Sequence, residues 1–232
     1  MRSTLIGMTL RKVSMLIAFY HASAETPHAD HDGASMPLTL RHALREPGVP
    51  PLRQLPAQVA DLLVELNAPP RLAAHLRAVH DVAAQLTAWL AVHYPTLVID
   101  REAVLFGAAT HDIGKTVHVE ELSGPGSRHE PAGQQLLLDA GIEPSLTRFA
   151  ATHASWRTTT VELEDLLVSL ADKIWKAKRV PDLEQLVVDR LAATSGQEPW
   201  QAFLNLDDHL DKIAADADQR LAFQNGYPTA TG

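Results

Sequence analysis

Apolar positions in the middle of the chain recur in alternating steps of four and three. Between Pro69 and Tyr94 they fall at Leu72, Leu76, Val79, Ala83, Leu86 and Leu90, which is the period of an amphipathic helix. A shorter helix is expected in PAQVADLLVELNA, stopped before Pro69 and Pro70. Asp100 is placed to cap REAVLFGAATHDI, with Gly114 as its stop. Further helices are expected over about 129–140, closed by Gly141, and over 144–154, opened by Pro144 at the first helical position. The pattern continues with helices near 162–178, 182–194 and 198–223. VHVEELSGPGSR, with two glycines and a proline, reads as a loop. No alternating run is long enough to demand a sheet, so the prediction is all-α.

The pattern divides the chain unevenly. Residues 56–224 read as one helical domain and 225–232 as a flexible tail. Residues 1–55 read as a signal-like, disordered or mis-started arm, in which Pro and Arg recur without period beyond Met36. Arg2, Arg11 and Lys12, the apolar run Val13 to Tyr20 and the small residues ASA resemble a secretory signal. That run is short, and PLTLRHALREP after Met36 suits an ordinary start, so the balance favours an untranslated or disordered extension and a cytoplasmic protein, with export left open. Nothing approaches the ~20 apolar residues of a membrane span.

Composition narrows the chemistry. With 46% hydrophobic residues and 5% aromatics in 232 residues, helices are favoured over a β-sandwich. A formal net charge of −8 argues against general nucleic-acid binding, which wants a basic face. It leaves room for a small anionic substrate held by a few local cations. The absence of cysteine removes disulfides and thiolate metal sites, so any metal would rest on His, Asp or Glu.

Several such groups fall on apolar faces. His80 lies four after Leu76, His111 seven after Val104, Asp112 four after Ala108, and His153 four after Phe149. Asp172 sits inside LEDLLVSLADKIW, and His129 opens its helix after the Gly-rich loop. Each has a bland reading alone: a satisfied core histidine, a helix-end cap for Asp112, a salt bridge from Asp172 to Lys173 or Lys176. Together they suggest a metal centre, because buried carboxylates need a partner and imidazole with carboxylate suits Mn, Fe, Zn, Ni or Co.

The ordered set His80, HDIGK at 111–115, His129, His153 and LADK at 170–173 resembles the metal site of the HD-domain superfamily, over roughly residues 70–180. The resemblance implies one metal on His80, His111, Asp112 and Asp172. It implies a second on His129 and His153, with Asp112 bridging and acting in catalysis. It further implies Lys115 as a catalytic and phosphate-contacting lysine, similar to that of the HDxxK form. Arg128, beside His129 at the mouth of the Gly-rich loop, is the second candidate contact for a small anionic substrate. The cyclic-di-GMP branch pairs two histidines where Ala154 follows His153 here, and GYP at 226–228 lies far from that branch's signature position. The expected activity is a metal-dependent phosphohydrolase acting on a nucleotide or related phosphate ester. Two alternatives share the ligands: a mixed-valent di-iron oxygenase of the superfamily, and a non-catalytic nucleotide sensor. Oligomeric state stays open.

Overall fold

The longest periodic stretch forms the longest helix, and the rest of the molecule is arranged around it. The computed structural model describes residues 38–157 and 161–230, and among these no strand occurs. The helices are α1 (Leu38–Arg45), α2 (Ala57–Glu65), α3 (Pro70–His93), α4 (Arg101–Thr110) and α5 (His129–Asp139). They continue as α6 (Pro144–Thr152), α7 (Leu163–Ile174), α8 (Pro181–Ser195), α9 (Pro199–Ala214) and α10 (Ala217–Asn225). Two 3-10 turns, Ile113–Thr116 and Val119–Leu122, join α4 to α5.

Helix α3 packs against α1, α4, α7 and α10 and is buried on nearly every side. Such all-round burial marks a central helix rather than a surface one. Its C-terminal half joins α4, α7, α8 and α9 in one apolar cluster. Its N-terminal half joins α1, α2 and Ile113 in another. Neighbouring residues divide between the two, Ala108 from Ala109 and Phe149 from Ala150. This seam is where the polar residues gather.

Three expectations need correction. The stretch 38–55, expected to be an irregular arm, is docked: Leu40, Ala43 and Leu44 of α1 are buried, as are Leu52 and Leu55. The fully buried Arg77 fastens it by donating from Nη1 to the Ala43 carbonyl (2.8 Å) and from Nη2 to that of Leu52 (3.1 Å). The expected helix over 198–223 is two, broken at Ala215 and Asp216. The tail is also packed: Tyr227 is buried, its hydroxyl donates to Glu46 (2.8 Å), and its carbonyl accepts from Arg71 (2.9 Å). The signal-like residues 1–35 lie outside the described residues. Among the described residues no helix is long and apolar enough to cross a membrane.

Candidate metal centre

Helix ends build the site. A helix leaves its last carbonyls without an intrahelical partner, and two such carbonyls orient imidazoles here. His111, the C-cap of α4, directs Nδ1 at the Ala108 carbonyl (3.0 Å). His153, the C-cap of α6, directs Nδ1 at that of Ala150 (3.1 Å). His129, the first residue of α5, directs Nδ1 at Glu121 Oε2 (2.6 Å). A carbonyl or carboxylate only accepts, so each Nδ1 is the donor and each ring turns its Nε2 the other way.

Those Nε2 atoms converge on one buried carboxylate. Asp112 Oδ2 lies 3.1 Å from His75 Nε2 and 3.6 Å from His111 Nε2. Asp112 Oδ1 lies 3.0 Å from His129 Nε2 and 3.6 Å from His153 Nε2. Asp172 Oδ1, from α7, is 3.4 Å from His111 Nε2 and 3.8 Å from His75 Nε2. Two groups result, His75–His111–Asp172 and Asp112–His129–His153, each with donor atoms within 4.8 Å of one another and each buried.

The donor set fits cations. Where a ring is neutral, lone pairs on nitrogen face lone pairs on oxygen, an arrangement that is unfavourable until a positive charge sits among them. His129 Nε2 is buried 3.0 Å from Asp112 Oδ1 yet makes no aligned hydrogen bond. Burial drives His75 below its usual pKa and His153 to about 4, favouring the neutral, ligating form of each. For His129 burial opposes protonation, but Asp112 and Glu121 outweigh it and raise the pKa. Burial would also raise Asp112 and Asp172; the surrounding imidazoles and lysines hold both well below the carboxylate range instead. Bonds of about 2.0–2.2 Å to nitrogen and oxygen suit Zn and similar ions, and His with Asp suits Mn, Fe, Co or Ni as well.

Residues 72–177 match the family model for the HD domain. The chain carries an HD domain. All six residues of the two groups lie inside the matched span, and an HD domain implies a place in the metal-dependent hydrolase superfamily. Comparison with curated proteins and with solved structures returns no match.

Within this HD domain the structure brings together His111, Asp112, His129, His153 and Asp172, and leaves His80 out. The histidine of α3 that joins them is His75. Five residues along a helix turn the side chain by roughly 140°, so His75 and His80 cannot share a face. His80 is buried with an unpartnered Nδ1, and burial, reinforced by Arg53, Arg101 and Arg77, holds it neutral with a pKa of about 4. His80 is thus a core histidine, the bland reading of its spacing. We expect His75→Gln to weaken metal binding at the first group by more than the ~10–100-fold typical of losing an orienting partner. His80→Gln should keep wild-type metal content by elemental analysis; the reverse ranking would reinstate His80.

Glu121 escaped the sequence reading altogether. Its Oε2 also accepts from the His129 backbone N–H (3.1 Å), and its Oε1 from that of Arg128 (3.2 Å). Burial would raise its pKa, but these bonds and the His129 ring hold it near 2. It is the carboxylate behind an imidazole that fixes tautomer and ring orientation in many metal sites. Lys115 reaches Asp112 Oδ2 at 2.6 Å and Lys173 reaches Asp172 Oδ2 at 2.5 Å. Arg128 is exposed and pairs with Glu120 and Glu121. Beside His129, burial lifts the half-buried Glu130 carboxyl above its usual pKa.

Proposed function

We propose that the protein is a metal-dependent phosphohydrolase that acts on a nucleotide or a related phosphate ester. One observation carries the reading: four imidazoles divide pairwise over the two oxygens of Asp112. This is the arrangement expected of a carboxylate shared between two cations. His75, His111 and Asp172 would hold one and His129 and His153 the other, with Asp112 common to both. Divalent ions there (Mn, Fe, Co, Ni or Zn) would supply Lewis-acid polarisation of a phosphoryl oxygen and lower the pKa of a water.

The chain's own groups supply the rest. Glu121 keeps the proton on His129 Nδ1, so that Nε2 stays available as a ligand. Lys115, partly exposed beside Asp112, is the cation placed to meet a phosphoryl oxygen, where fixed positive charge offsets the charge that develops during transfer. Arg128, on the rim, would meet a more distant part of an anionic substrate.

The test is phosphate release by protein reconstituted with Mn2+ or Fe2+, across nucleoside mono-, di- and triphosphates and dinucleoside polyphosphates. Metal-dependent release on one class would establish the activity and its substrate. Fully metal-loaded protein that releases no phosphate but consumes O2 would replace the hydrolase with the oxygenase.

A further inference from the structure

The two lysines at the centre are placed on different kinds of oxygen. Lys173 Nζ takes Asp172 Oδ2 (2.5 Å), while Asp172 Oδ1 faces the imidazoles. A cation on Oδ1 leaves that ion pair intact. Lys115 Nζ takes Asp112 Oδ2 (2.6 Å), the same atom that lies 3.1 Å from His75 Nε2 and 3.6 Å from His111 Nε2. An ammonium and a divalent cation therefore compete for this oxygen.

Among the described residues Asp112 is also the one carboxylate within ion-pair distance of Lys115. The Lys115 side chain is only 18% exposed. An ammonium displaced from Asp112 would thus be stranded, and a poorly solvated charge without a partner is costly. An incoming anion removes that cost. We propose that Lys115 exchanges partners: it holds Asp112 Oδ2 until a divalent cation takes that oxygen, then turns to a phosphoryl oxygen of the ligand. Metal loading in this way creates the anion site, and the two ligands bind cooperatively through one side chain. Lys173 does not exchange; it is a positioning residue that keeps Asp172 Oδ1 towards the imidazoles. The proposal rests on the reading of the two groups as a metal centre.

Coupling between sites is reciprocal, so phosphate should raise Mn2+ affinity by the factor by which Mn2+ raises phosphate affinity. The test is calorimetric titration of metal-stripped protein with Mn2+, with and without inorganic phosphate, on folded variants checked by circular dichroism. Lys115→Met is expected to bind Mn2+ more tightly than wild type, by a factor in the ~5–150-fold range of ordinary couplings. The same variant should lose most of the phosphate enhancement. Lys115→Arg should retain the enhancement, and Lys173→Met should bind Mn2+ more weakly. These opposite signs separate exchange from general damage. Folded Lys115→Met with unchanged or weaker Mn2+ binding overturns the exchange. Tighter Mn2+ with a wild-type phosphate enhancement overturns the anion contact. Wild-type protein that takes up no Mn2+ removes the metal centre itself, and with it the proposed function.

Discussion

Asp112→Ala is expected to abolish metal binding at both groups and to lower phosphate release by about 10³-fold or more, beyond the ~10²–10³ seen when one electrostatic donor is removed from an active site. Among the described residues no other side chain faces all four imidazoles, so its loss leaves neither group with the oxygen nearest to its nitrogens. The fold should survive, because burial already favours neutral His75 and His153. Asp112→Asn sharpens the test. It keeps the volume, and its amide N–H can donate to an Nε2 lone pair, so it should fold at least as well while binding metal poorly. A ligand at about 100 times its Kd stabilises a folded protein by about 2.7 kcal/mol. Both variants should therefore lose the thermal shift that Mn2+ gives wild type. Wild-type metal stoichiometry in either would remove Asp112 from the shared position.

The electrostatic argument also explains why the centre sits on a seam. Six groups that attract protons or cations could not be buried inside one continuous apolar cluster without partners. Placed between two clusters, they draw on helix-end carbonyls from α4 and α6 and on the loop carboxylate of Glu121. Each flanking cluster supplies rigidity to one side. From the far edge the fully buried Arg220 of α10 donates to the Trp175 carbonyl (2.8 Å), and the Trp175 ring stands edge-on to His75 at 5.0 Å. The C-terminal helices thus brace the first group, a role that their sequence does not announce.

What the sequence revealed depended on how strongly a pattern is tied to local structure. The helical period was legible wherever one face is apolar, and HDIGK with LADK located His111, Asp112 and Asp172. Helix α3 defeated the same method because it is buried on nearly every side. Both His75 and His80 satisfy apolar spacing there, and only tertiary packing decides which faces α4 and α7. Glu121 was illegible for another reason: it belongs to a 3-10 turn in a segment read as loop, and a carboxylate eight residues before a histidine carries no periodic signal. Helix α1 is eight residues long, too short to stand without the partners that bury Leu40 and Leu44. The sequence pattern places a helix stop at Gly114, yet α4 ends at Thr110 and Gly114 lies within the following 3-10 turn. Its purpose is a close approach.

That approach makes Gly114→Ala the second substitution with a large expected effect. A Cβ at this position would lie 2.0 Å from the His129 carbonyl oxygen and 2.6 Å from the Gly133 backbone nitrogen. Both are main-chain atoms of α5, so no rotamer change can make room. Gly133 answers from the other side, where its own Cβ would stand 3.0 Å from the Gly114 nitrogen. The two glycines let the turn after Asp112 press against the first turns of α5, and this contact holds His129 Nε2 3.0 Å from Asp112 Oδ1. Overpacking ordinarily costs about 1–3 kcal/mol, and a backbone collision belongs at or above the top of that range. For a chain of this size about 3 kcal/mol corresponds to a fall in Tm of roughly 6–12 °C. Because α5 must move while α3, α4 and α7 need not, the group containing His129 should lose its cation before the group containing His75. Differential scanning calorimetry with metal titration reads both effects. A variant that melts as wild type does and binds metal at both groups unchanged would show that α5 yields freely, and that its contact with the turn does not set the geometry of the centre.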